Sequence, residues 1–225
     1  MDHPLSLTGI VGRYADTSNL TLLATDEAGS QWVYKAESGE RPLWDFPRGS
    51  LWRREIAFYL LDRALGFGVV PETVEANGPM GMGSAQQHVS MDNAFDPRTL
   101  LDPPDERFWP IAILDVIANN ADRKLGHVLV DGGSLWAIDN GLTFHPEEKL
   151  RTVLWMLAGE EIPHHYHSAL QDLLPQLEDD LGAQLLEMIG QPEMGALASR
   201  TKLLIETGVH PEPPQDRHAL PWPLY

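Results

Sequence analysis

From Ala121 to Gly141 the chain reads ADRKLGHVLVDGGSLWAIDNG, and no other stretch narrows the choice of folds as far. Val128-Leu129-Val130 and Leu135 to Ile138 are short apolar runs on either side of the turn Asp131-Gly132-Gly133, which predicts a compact β-hairpin. A hairpin returns the chain to the edge it left, so Asp122 before it and Asp139 after it meet at one edge of a ladder. Taken singly, an Asp beside an Asn at a helix end is a cap, and Asp-Asn-Gly is a turn. Caps and turns have no reason to be paired across a hairpin with a lysine, Lys124, between them.

The flanking sequence changes texture around this stretch. Between Leu5 and Ala36, the runs Leu20 to Ala24 and Gln31 to Lys35, separated by Asp26-Glu27-Ala28-Gly29, predict two strands joined by a tight hairpin. Pro42 and Pro47 make Ser38 to Gly49 a loop. SLWRREIAFYLLDRALG then predicts an amphipathic helix with Ser50 as N-cap, Phe58, Leu61 and Leu65 on one face, and Gly66 at the stop. Val69 to Glu75 and Gly83 to Ser90 read as further strands around the turn Asn77-Gly78-Pro79. A polar connection, Asp92 to Arg107, leads to an apolar helix from Phe108 to Asn119. Leu170, Leu173, Leu177, Leu181 and Leu185 keep helical spacing, with Pro175 bending or dividing that segment, and a last helix carries Met194, Leu197, Thr201 and Leu204. The expected organisation is an α+β chain with a small sheet lobe bearing one main helix over residues 1–90, a mostly helical lobe over 91–210, and a Pro-rich tail over 211–225.

The 225 residues suffice for one sizeable core or two small lobes sharing a cleft, and 43% hydrophobic with 22% charged residues is a globular composition. Sixteen Lys and Arg against 33 Asp and Glu leave a formal charge of -17, which disfavours a general grip on nucleic acid or anionic lipid. An anionic ligand must therefore be held by a few placed cations or a metal. The absence of cysteine removes disulfides, thiol catalysis and thiolate metal sites. Neither a leader-like start nor a membrane-spanning apolar run is present, so a cytoplasmic protein with no integral membrane segment is expected.

Kinase-type phosphoryl transfer requires the geometry that the hairpin creates: one Asp to orient the attacking hydroxyl, and a second to hold Mg²⁺ on the nucleotide phosphates. Asp122 and His127 have the spacing of a catalytic Asp and a metal-binding side chain, and Lys124 falls where a cation could neutralise the transferring group. The same chemistry needs a strand lysine upstream. Trp32-Val33-Tyr34-Lys35 is an apolar strand ending in the only lysine of the first 120 residues. By itself Glu55 reads as a solvated helix residue.

Glu55 to Asp62, with Leu65-Gly66-Phe67-Gly68-Val69-Val70-Pro71-Glu72-Thr73, resembles the corresponding helix and strand of type II phosphatidylinositol 4-kinases, and GSAQQHV resembles their hinge strand. Asn120-Ala121-Asp122-Arg123 and Ile138 to Phe144 are similar to that family's catalytic and metal-binding segments. The resemblance covers residues 30–145 in pieces and points to a compact bacterial, actinobacterial branch of the phosphatidylinositol 3-/4-kinase-like superfamily. It implies a two-lobed, protein-kinase-like fold with ATP in the cleft. Lys35 would bind phosphate, Glu55 would pair with it, Asp122 would be the catalytic Asp, and Asp139 would hold Mg²⁺. The adenine edge would meet the backbone at His88 and Val89, and Thr17, Ser18 and Asn19 would lie in the phosphate-covering turn. His127 stands where Asn is expected: imidazole ligates divalent metals, yet Mg²⁺ prefers oxygen, so either Asp139 does most of the metal binding or the site takes Mn²⁺. The expected activity is ATP-dependent transfer to a hydroxyl acceptor, which could be a lipid, a protein or a small molecule. A nucleotide-binding pseudokinase with a regulatory role and an AMP transferase on the same fold are the alternatives.

Other features read as structural. His164-His165-Tyr166-His167 is the polar start of a helix, Asp115 supports the catalytic loop through hydrogen bonds, and Glu178-Asp179-Asp180 is a solvated face. Leu43 to Pro47, with its two aromatics, packs against the lobe or docks a partner, and Trp222 and Tyr225 pose the same choice.

Overall fold

The computed structural model describes residues 3–15, 17–90 and 105–224; the connection expected from Asp92 falls mostly outside them, as does Tyr225. Five strands, β1 (Leu5–Arg13), β2 (Leu22–Asp26), β3 (Gln31–Ala36), β4 (Thr73–Gly78) and β5 (Gly81–Gln87), close into a barrel in the order β1-β2-β3-β5-β4. All pairs are antiparallel except β1 with β4. The expected β2–β3 hairpin is present and pairs Leu22 with Tyr34 and Thr25 with Gln31. The closing strand β1 has no counterpart in the sequence reading, because register shifts between Leu7 and Gly9 and between Ile10 and Gly12 break its alternation. Leu7, Leu22, Ala24, Trp32, Tyr34, Ala36, Ala76 and Ala85 form the barrel's own core. At Gly83 a side chain would lie 2.2 Å from the Lys35 carbonyl, so only glycine lets β5 approach β3 this closely.

Helix α1 spans Leu51–Leu65, but Ser50 does not cap it. The Ser50 hydroxyl donates to the Pro47 carbonyl at 2.7 Å, and the Glu40 carboxylate accepts the Trp52 backbone N–H at 2.8 Å instead. Gly66, left-handed at φ 69°, ends the helix as expected. The strand expected from Val69 begins only at Thr73, because the Val69 and Val70 N–H groups donate to the Asp62 carboxylate and not to a ladder. The expected turn is displaced too: β4 runs through Asn77 and Gly78 before reversing.

The second lobe contains α2 (Trp109–Ile117), the hairpin β6 (Val128–Asp131) and β7 (Ser134–Ala137), α3 (His164–Gln176), α4 (Asp180–Ile189) and α5 (Gln191–Thr207). Pro175 sits in the last turn of α3 and the chain restarts at Asp180, so the leucine series is divided between two helices. The apolar face of α1 joins this larger core: Phe58, Leu61 and Leu65 pack in one cluster with Ile111, Leu114, Phe144, Leu170 and Leu185. Helix α1 thus spans both lobes, and that position sets the site.

The aromatic loop divides between its two readings. Phe46 is buried, edge-on to His145, whereas Trp44 is 92% exposed with the Lys149 ammonium 5.0 Å from its ring.

His210 is buried with its ring edge-on to Trp109 and Trp155, and burial pushes its pKa down to about 4. Unfolded chains take up a proton near pH 6.5 that the folded protein refuses until about pH 4, so stability present above the upper value is lost across that window, on the order of 3 kcal/mol in full. Asp62, raised to about 6 by burial, works in the opposite direction, since its contribution is lost as pH rises. The difference between the parent and His210→Gln isolates the histidine. Urea midpoints at pH 7 and pH 5 should fall less in the variant, and equal falls would refute a neutral buried imidazole.

Candidate active site

Lys35, in the second half of β3, donates to two carboxylates at once. One is Glu55 of α1, 3% exposed, and the other is Asp139, whose Oδ1 lies 2.6 Å from Nζ. Glu55 is therefore not a solvated residue. Its other oxygen accepts the Asn140 backbone N–H at 2.9 Å, so the same side chain ties α1 to the segment that follows the hairpin. Burial works against the Lys35 charge, but Asp139 and Glu55 overcome it and the net shift is upward. The Lys35 ammonium in turn holds Asp139 well below the usual carboxylate range. Asp139 is left-handed at φ 56°, a conformation that Asp tolerates better than most residues and that recurs at functional sites. Its side chain is 51% exposed, so it can still meet a ligand.

The hairpin brings the other candidates to this edge. The His127 Nε2 lies 3.4 Å from Asp139 Oδ2, and its Nδ1 is buried without a partner among the described residues. Burial, reinforced by Arg123, Lys124 and Lys35 against the pull of Asp139, lowers its pKa to about 4, so the ring is neutral and can act as a ligand. Lys124 Nζ is 3.1 Å from Asp122 Oδ2. Burial raises the Asp122 pKa, and the Asp139 charge adds to the rise against Lys124, so the two carboxylates sense each other.

Beneath them lies an ion pair whose cation had no expected role. Arg123, fully buried, grips both oxygens of Asp115 at 2.9 to 3.1 Å, the Asn140 side-chain oxygen at 2.7 Å and the Ile138 carbonyl at 2.9 Å. Asp115 also accepts from the Asn120 amide, whose oxygen receives the Asp122 backbone N–H. This is the supporting role expected of Asp115. A signal for Arg123 exists: Asp115 is the only charge in the apolar helix WPIAILDVI, and a buried carboxylate demands a buried partner.

The remaining candidates are not drawn into the cluster. Asn19 Oδ1 accepts the Arg41 backbone N–H at 2.8 Å, which fastens the turn to the β3–α1 connection, and Ser18 is exposed. The His88 N–H is committed to the Gln31 carbonyl at 3.1 Å, leaving the half-buried Val89 as the next backbone group along the hinge. A cavity of about 540 Å³ is lined by Glu37, Arg41, Arg48, Leu51, Met80 and Met82 among others, and by none of the cluster residues. No group of three His, Asp or Glu among the described residues could hold a metal unaided. The Asp139 oxygens and the His127 imidazole, 3.4 Å apart, are the donors that could hold a divalent metal together with substrate phosphates.

The fold is kinase-like. The structure superposes on hydra Fam20 with sugar (TM-score 0.55, 13% identity, 92% of this chain and 86% of that one) and on the Helicobacter pylori proinflammatory kinase CtkA (0.54, 10%, 91% and 93%). It also superposes on the Golgi casein kinase with Mn and ADP bound (0.53, 15%, 90% and 72%). None of these is named as a phosphatidylinositol kinase, and the likeness carries the mixed α+β architecture of sheet lobe and helical lobe. In sequence the chain is 35% identical over 255 positions to Protein Rv2133c of Mycobacterium tuberculosis, covering 96% of this chain and 91% of that protein. The chain belongs to the family of that protein. No protein-family model matches it.

Proposed function

We propose that this chain is an ATP-dependent phosphotransferase that moves the γ-phosphoryl group to a hydroxyl acceptor. The observation that carries this reading is the three-way contact of Lys35 with Glu55 and Asp139, which joins strand, helix and hairpin edge at a single ammonium. Lys35 contacts the nucleotide phosphates, oriented by Glu55, while Asp122 accepts the hydrogen bond of the acceptor hydroxyl and aligns it for attack. Lys124 holds Asp122 in place and adds positive charge where the transferred group gathers negative charge. Asp139 and His127 hold a divalent cation, which when bound neutralises the phosphate oxygens. Residues 1–90 supply the nucleotide side of the cleft, residues 91–210 the catalytic side. The acceptor is a lipid, a protein or a small molecule.

Incubation with labelled ATP tests the reading. Incorporation of the γ-label into an acceptor or into the chain supports it. Incorporation of the α-label would instead make the protein an AMP transferase. Nucleotide-induced thermal stabilisation without either would make it a regulatory pseudokinase, a reading favoured by the engagement of Asn19 elsewhere and by His127 at the second metal position.

The imidazole also predicts a metal preference. Mg²⁺ favours oxygen, whereas Mn²⁺ accepts nitrogen. Half-saturation of turnover should need less Mn²⁺ than Mg²⁺, by about tenfold, and His127→Asn should narrow that gap. An unchanged ratio in the variant would remove His127 from the metal site.

A further inference from the structure

The chain beyond α5 runs back to the site along a defined path. Val209 bridges Glu161, the Ala219 carbonyl accepts both the Thr152 N–H at 3.1 Å and the Trp155 indole N–H at 2.8 Å, and the Leu224 carbonyl accepts the Leu125 N–H at 3.0 Å. Leu125 directly follows Lys124, within the segment Asp122 to His127.

That segment is short of partners on one side. Lys124 is extended, so the N–H groups of Arg123 and Leu125 point the same way. Arg123 pairs in parallel with Thr152: its N–H donates to the Arg151 carbonyl, and its carbonyl accepts from Val153. The bridge ends there: the Leu125 N–H donates to the Leu224 carbonyl of the tail and not to the 151–153 segment. On the far side the tail also holds Thr152, whose hydroxyl reaches the Asp115 carboxylate at 3.4 Å, and Asp115 grips Arg123. One strap therefore meets the candidate catalytic segment directly at Leu125 and indirectly through Thr152 and Asp115.

We propose that residues 219–224 form a positioning strap that fixes the Asp122–Lys124 segment for transfer; the catalytic part of this inference rests on the role given to Asp122 above. The strap buries Pro221 but leaves Leu220, Trp222 and Leu224 49%, 88% and 46% exposed. Its attachment is mainly through backbone hydrogen bonds, so its loss should loosen the loop far more than it lowers global stability. A loop misplaced by an ångström loses rate, while nucleotide held by Lys35 is untouched.

The test compares the full chain with a variant lacking residues 222–225, which keeps the Ala219 contacts and the buried Pro221 and removes the contact to Leu125. Amide exchange of peptides covering 121–128 should accelerate by about tenfold or more. The maximal rate of γ-label transfer should fall by about 10- to 100-fold with KM for ATP changed less than about twofold, and Tm should move little. Trp155→Phe, which keeps an aromatic ring and deletes the donor to Ala219, should shift exchange and rate in the same direction by a few-fold and serves if the shortened chain does not fold. Unchanged exchange over 121–128, or faster transfer in the shortened chain, would overturn the proposal. If the intact protein transfers no label, the phosphotransferase reading fails, and the exchange measurement still decides whether the strap holds the loop.

Discussion

Asp139→Asn is expected to abolish metal-dependent γ-phosphoryl transfer, by on the order of 10³-fold or more, while the protein remains folded. Asn keeps the size of the side chain and tolerates the left-handed backbone at φ 56°, so what is lost is charge. The fold should survive for two reasons. The carboxylate is half exposed, and Lys35 retains Glu55 as its counter-charge when Asp139 is neutralised. Activity has no such reserve, because Asp139 is the carboxylate that the hairpin places within reach of both Lys35 and His127. Circular dichroism and Tm should match the parent within a few degrees while label transfer vanishes. Transfer within tenfold of the parent in the folded variant would detach Asp139 from the chemistry.

Much of this cluster was legible from the residues. The turn Asp131-Gly132-Gly133 between apolar runs defines the hairpin, and the hairpin returns Asp139 to the edge occupied by the Asp122–His127 segment. Lys35 stood out because lysine is absent from the rest of the first 120 residues. Glu55 is named as the partner of Lys35 only by the resemblance and not by local pattern, since α1 buries Arg54, Glu55 and Asp62 alongside Phe58 and Leu61, and a charge on a helix otherwise reads as solvated. Its burial depends on partners in β3 and beyond β7 that local pattern does not reveal. The same holds for the helix start, where Glu40 replaces Ser50 across an irregular loop. Strand β1 was hidden by its bulges, and the tail's attachment runs through carbonyl groups that every residue possesses.

Arg123→Met should lower stability by about 3–5 kcal/mol, the cost of leaving a buried charge without its partner. The guanidinium is completely buried, as is Asp115; the arginine makes six hydrogen bonds, three of them to Asp115, with no solvent to replace them. Burial already pushes the Asp115 pKa upward against the pull of Arg123, so the lone carboxylate would protonate in the variant and recover part of the loss. Asp115→Leu should do comparable damage from the other side, since an arginine cannot discharge itself. The double variant decides between a charge effect and simple loss of packing: with both ions gone, more than half of the larger single deficit should return. Urea unfolding of the four proteins at pH 7 measures the cycle. Additive losses would mean that the two side chains act independently, and a single loss below about 1 kcal/mol would mean that water reaches the pair. Because Arg123 also fixes Asn140 and the Ile138 carbonyl on either side of Asp139, the double variant should remain poor at label transfer even where its stability has recovered. That separation of stability from rate distinguishes a pair retained to position the site from one retained to hold the core.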